Sequence, residues 1–140
     1  MKFARWVFLL AGIWGIVVLG PLYFLEKFVG VQHPPAITHP EYFYGFIGVG
    51  LAWQILFLII ATDPARYRGV MPAGVIEKFA FALAVYALLA KQSVDASMAV
   101  AASIDLLLGT LFIVAFVKTA VTGHSPQLPV KRGLREGLSP

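Results

Sequence analysis

Four long apolar runs, each closed by polar or basic residues, organise the chain. They extend from Trp6 to Leu25, Tyr42 to Ala61, Val70 to Ala90 and Met98 to Val117. Within each run the apolar residues form a block, with neither the two-residue alternation of a strand nor the single stripe of a surface helix. About 20 residues at 1.5 Å rise cover the roughly 30 Å of bilayer hydrocarbon. In hydrocarbon a spanning segment must satisfy its own backbone polar groups, so such runs are helical. The pattern therefore predicts an all-α, up-down bundle of four transmembrane helices filling residues 1–118. A flexible tail is expected over residues 119–140.

The breaks between runs carry their own signals. Pro21 is expected to kink the first span near its outer end. Glu26-Lys27 marks the exit, and the stretch from Val31 to Pro40 holds two His-Pro pairs and Pro35, which favour an extended loop. Asp63 before Pro64 reads as an N-cap with proline at the first helical position, opening a short turn through Arg68. The third span is the weakest. Its charge-free part covers only Phe79 to Ala90, so it reaches full length by including Val70 to Lys78, with Lys78 expected to snorkel back to the surface. Ser93 or Asp95 is the expected cap of the fourth span.

Basic residues then orient the bundle. Lys2 and Arg5 precede the first span, Arg66 and Arg68 lie in the second loop, and Lys118, Lys131, Arg132 and Arg135 follow the fourth. The first and third loops hold only Lys27 and Lys91. This places both termini and the second loop in the cytoplasm. The run at the N-terminus lacks a small-residue cleavage site and reads as a retained span, not a signal peptide.

Composition agrees with the pattern. Hydrophobic residues make up 59% and charged residues 13% of the 140 positions, against about 25% charged in soluble domains. Mean hydropathy is +0.82. The net charge of +4 sits at the ends of apolar runs as a topology signal, so nucleic acid is not an expected partner. Cysteine is absent, which excludes disulfides, thiolate ligands and thiol chemistry within the chain. The sequence implies no cofactor. His33, His39 and Glu41 are metal-ligand types in one loop, but their spacing fits no zinc signature, and no metal is expected.

Ionisable side chains inside a span are costly and mark functional candidates. Glu77 and Asp105 are such residues, with Gln54 as a neutral companion. Counted by helical rise, Gln54, Glu77 and Trp14 fall at a common depth, and Asp105 about 8 Å nearer the outside. The four form a candidate ligand-binding layer. The bland alternatives are interhelical glue for Gln54, a surface ion pair with Lys78, Arg66 or Arg68 for Glu77, a structural hydrogen bond for Asp105, and a core or lipid contact for Trp14. Small residues at four-residue spacing mark faces for close helix approach: Ala11 and Gly15, Gly48 and Ala52, Ala80 and Ala84, Gly50 four before Gln54, and Ala101 and Gly109 four to either side of Asp105. Arg66 and Arg68 are expected to contact anionic lipid headgroups.

Tyr44-Gly45-Phe46 with Gly48, then Asp63-Pro64 with Arg66-Tyr67-Arg68, and Asp105 with Gly109, make the stretch from Trp6 to Lys118 resemble small bacterial four-helix membrane proteins of the DoxX-like group. The resemblance implies a four-helix bundle in an inner membrane and, in some members, a link to redox or thiol partners. It carries over no catalytic residue. Three readings follow. The first is a non-enzymatic accessory or partner-binding membrane subunit, with a homo-oligomer as one form. The second is a binder of, or enzyme on, a lipid, isoprenoid or quinone, and its mark would be a cavity at the polar layer. The third is a small oligomeric transporter.

Overall fold

The computed structural model describes residues 1–33 and 36–122, with side chains through residue 120. It is all-helical over these residues. Helix α1 spans Lys2–Leu19 and passes into a 3₁₀ segment, Gly20–Phe24. Pro21 sits in the first turn of that segment. Lacking an N–H, it cannot extend the α-helical ladder, so the expected kink appears as a tightening of the helix. A short helix not foreseen in the sequence, α2, covers Glu26–Gln32. Helix α3 spans Pro40–Thr62, α4 Met71–Ala90 and α5 Met98–Thr122. Four segments, Lys2–Phe24, Pro40–Thr62, Arg68–Ala90 and Met98–Ala120, are long and apolar enough to cross a membrane. Helix α5 overruns its expected end at Val117. The rest of the predicted tail, from residue 123, lies outside the described residues.

Side chains at the helix ends define an up-down arrangement. Arg5 donates from Nε to the Ala61 carbonyl at 3.0 Å and from Nη2 to the Thr62 carbonyl at 2.7 Å. It thereby caps the C-terminus of α3 with the start of α1. Arg68, just before α4, donates to the Phe116 carbonyl of α5 at 3.2 Å, and its guanidinium stacks 3.8 Å from the Phe116 ring centroid. Lys118 lies 4.6 Å from the ring centroid of Phe3. The starts of α1 and α4 and the ends of α3 and α5 thus share one end of the bundle. The loop between α3 and α4 follows the sequence reading: the Arg66 N–H bonds to Asp63 Oδ1 at 3.2 Å.

At that end the helices close around three fully buried rings. Phe8 and Phe112 stack at 4.2 Å between centroids, and Phe57 meets Phe112 edge-on at 4.9 Å. Gly74 on α4 makes room for them, since a Cβ there would stand 2.9 Å from the Phe57 ring. Ile60, Met71 and Ala115 complete this plug. In hydrocarbon the helices gain little from apolar burial itself, so close packing of this kind, with glycine at the contact, supplies the cohesion.

Toward the other end the two hairpins part. Helices α4 and α5 keep their own seam of Ala82, Val85 and Ala102, while α1 stays against α3. The small pair Ala80 and Ala84, expected to be a packing face, points outward instead. The packed face of α4 is Gly74, Lys78, Ala82, two residues out of register with the expected one. At the far end, Tyr44 on α3 donates to Glu26 of α2 at 2.7 Å and stacks on Tyr23, tying α2 to the bundle.

Candidate functional site

Where the hairpins part, a cavity of about 500 Å³ opens above the aromatic plug. All four spans line it. Helix α1 contributes Trp14, Gly15, Val18 and Leu19; α3 contributes Phe46, Gly50 and Gln54; α4 contributes Glu77, Lys78 and Phe81; α5 contributes Val100, Ala101, Ile104 and Asp105. Most of the wall is apolar, and the polar side chains gather in one place. Trp14, Phe46 and Val100 are 48%, 51% and 65% exposed, so the cavity opens sideways at its rim. Phe46 and Phe81 stack at 6.1 Å across the α3–α4 side.

The polar end is built on Lys78. Its side chain does not snorkel to the surface as expected: the residue is 5% exposed and turned into the bundle. Gly109 explains how α4 and α5 come close enough for this. A Cβ at Gly109 would stand 2.7 Å from the Phe79 ring and 3.3 Å from Lys78 Cβ. Lys78 Nζ donates to Asp105 Oδ1 at 3.2 Å and to Glu77 Oε1 at 3.5 Å, and lies 3.3 Å from Glu77 Oε2. The Phe57 ring centroid is 5.6 Å from the same nitrogen, joining the cluster to the plug. One ammonium thus sits between two carboxylates, and with all three groups ionised the cluster carries a single excess negative charge. Buried charges persist only when paired, and the flexible lysine stem makes the pairing possible.

Gln54 faces the cluster from α3, with only 2% of its surface exposed. Its Nε2 donates back to the Gly50 carbonyl at 3.1 Å, which fixes the amide orientation. Its Oε1 has no hydrogen-bond partner, and neither does Glu77 Oε2. Gly15 on α1 leaves the space for this amide, because an added Cβ would overlap the Gln54 side chain.

The structure therefore brings Trp14, Gln54, Glu77 and Asp105 to the wall of one cavity. It adds Lys78, which sequence reasoning placed at the surface. The missed signal was the four-residue spacing Gly74, Lys78, Ala82, which sets the lysine between small residues on the packed face. Glu77 pairs with Lys78, not with Arg66 or Arg68. Arg68 instead engages Phe116, and the Arg66 guanidinium lies 5.6 Å from the Tyr67 ring centroid. At the start of α3 His39 Nδ1 is 2.9 Å from Glu41 Oε1. Among the described residues no three His, Asp or Glu side chains gather as a metal site.

No family model, curated protein or solved structure matches the chain. The likeness to the DoxX-like group rests on the sequence features that suggested it. The four apolar helices themselves fit a small four-helix, multi-pass membrane protein.

Proposed function

We propose that this chain binds an amphiphilic small molecule of lipid, isoprenoid or quinone type inside the membrane. The observation that carries the reading is the cavity, apolar along its walls and polar at one end, with rim residues open to the side. Ligand sites are typically concave, mostly apolar and equipped with a few convergent polar groups, in volumes of about 300–1,000 Å³. A bundle built only to stand in the bilayer or to hold a partner has no need for such a space. The cavity therefore favours the ligand reading over that of an accessory subunit. Entry through the rim would draw the ligand directly from the lipid, with its tail against Val18, Phe46 and Ile104 and its head toward Gln54 and Lys78.

In this reading both termini and the loop from Asp63 to Gly69 face the cytoplasm of a bacterial-type inner membrane, as the basic residues indicate. The chain contains no cysteine, so single cysteines at Lys2, Arg66 and Lys91 allow labelling from either side. Positions 2 and 66 should react only from the cytoplasmic side and position 91 only from the opposite one.

Native mass spectrometry of the chain released from lipid nanodiscs tests the binding itself. Wild type should retain one non-annular amphiphile per chain. Ala101→Trp, which fills the cavity from an exposed wall position, should lose it while the fold persists. Equal lipid retention by both proteins, with no discrete adduct, would reject the reading.

A further inference from the structure

Among the fully buried side-chain atoms of the cavity wall, those left without a hydrogen bond are all acceptors. Gln54 is only 2% exposed, and its amide is locked by the Nε2 bond to Gly50, so Oε1 is the end left over. Glu77 Oε2 is a second buried oxygen without a hydrogen bond, though the Lys78 ammonium stands 3.3 Å from it, so Gln54 Oε1 is the acceptor left unmet. Both are acceptors, they come from different helices, and both residues line the cavity. The two buried donor groups of the wall, Gln54 Nε2 and Lys78 Nζ, are already engaged. Lys78 Nζ, with three N–H bonds, meets Asp105 Oδ1 and both oxygens of Glu77, with the Phe57 ring centroid 5.6 Å away.

We propose that the cavity selects a neutral amphiphile whose head is a hydrogen-bond donor, namely a hydroxyl group as in an isoprenoid alcohol, a diacylglycerol or a quinol. This rests on the reading of the cavity as a ligand site. A hydroxyl supplies the proton that Gln54 Oε1 lacks. An ether or a quinone of the same shape brings only acceptors and leaves Gln54 Oε1 unmet. A carboxylate or phosphate head sets a further negative charge against a cluster that already has two carboxylates to one ammonium. Sites built to hydrogen-bond a substrate group discriminate strongly against analogues that lack it, because their own buried polar atoms are then unpaired.

The test compares farnesol with its methyl ether, using palmitate as an anionic control. Each is titrated into the full chain in nanodiscs, and the bound fraction is read by native mass spectrometry. Farnesol should reach half-occupancy at a concentration at least about ten-fold below that of the ether, with palmitate weakest. Gln54→Met, similar in volume but without the acceptor, should bring the alcohol close to the ether. The wild-type comparison needs no variant, so it stands even if Gln54→Met fails to fold. Equal binding of alcohol and ether, abolished for both by Ala101→Trp, would overturn the donor rule and leave the cavity as a ligand site. Tighter binding of palmitate would also overturn it. Binding of neither probe, or binding unchanged in Ala101→Trp, would overturn the ligand site and this inference together.

Discussion

Removing the charge of Lys78 gives the sharpest test of the structure. Lys78→Met keeps the length of the side chain and its packing against Gly109 but leaves Glu77 and Asp105 facing each other without a cation. At 3.2 and 3.3 Å, each lysine–carboxylate pair has a Coulomb attraction of about 5 kcal/mol at an effective dielectric constant near 20. Against this stands the cost of desolvating the lysine, several kcal/mol. The net loss expected from breaking such a buried pair is therefore about 3 kcal/mol or somewhat more. Unfolding in a membrane mimic keeps the helices formed and partly paired, which favours the lower figure. Neutralising the whole cluster should undo the damage: Lys78→Met with Glu77→Gln and Asp105→Asn leaves no charge to bury. The measurement is reversible unfolding in mixed micelles as the fraction of denaturing detergent rises. Lys78→Met should melt far earlier than wild type, and the triple variant should recover most of the difference. The reasoning fails if Lys78→Met lies within about 0.5 kcal/mol of wild type, the range of an ordinary surface change. It fails equally if the triple variant is no better than the single one.

Gly15→Val should cost about 1–3 kcal/mol by driving a side chain into the Gln54 amide, and Gln54→Ala should relieve most of that in the same micelle assay. In the turn after α4, Gln92 has φ 54° and closes the helix with its N–H on Leu89 O and that of Ser93 on Leu88 O. Gln92→Gly should raise stability by about 0.5–1 kcal/mol, read by thermal denaturation, since glycine adopts this conformation without a Cβ penalty. Asp95, in the loop before α5, has its pKa held below the usual aspartate value by the Ser97 hydroxyl and then by the Ser97 N–H at 2.8 Å. Its lowered value means that its contribution is present above the ordinary carboxylate range and fades as pH falls through the folded midpoint. An NMR titration should show that midpoint move upward in Ser97→Ala.

The four spans could be read from the chain because their signal is additive: some twenty apolar residues in a row outweigh any local irregularity, as Pro21 and Lys78 show. The helix ends carried local chemistry that also survives in one dimension, such as Asp63 before Pro64. Helix α2 was hidden because seven residues give too little periodicity, and the prolines after it argued for an extended path. The rotation of α4 about its axis was the decisive unknown. Ala80/Ala84 and Gly74/Ala82 both offer small-residue spacing, and only the partner helix selects between them: Gly109 on α5 receives Phe79 and lets Lys78 turn inward. Depth arithmetic grouped Trp14, Gln54 and Glu77, which line one cavity in the structure, because helical rise is constant. It could not foresee that a lysine stem would bridge the remaining distance to Asp105.

The charged cluster is not explained by stability. Buried ion pairs commonly give no advantage over apolar residues of similar volume, and replacing the whole set can even stabilise a fold. Its position suggests a different use. Lys78 holds both carboxylates at the floor of the cavity, 3.2 Å from Asp105 Oδ1 and 3.3 Å from Glu77 Oε2, so that the Glu77 carboxylate stays fixed on the same wall as Gln54 Oε1. Orientation and stability then separate in one protein. The neutral triple variant at positions 77, 78 and 105 should be about as stable as wild type. Yet the amide introduced by Glu77→Gln can present either its oxygen or its nitrogen to the cavity. The variant's preference for farnesol over the methyl ether should fall about three-fold or more toward equality. A triple variant that kept the full preference would show that Gln54 alone reads the head group, and that the cluster does nothing for the ligand.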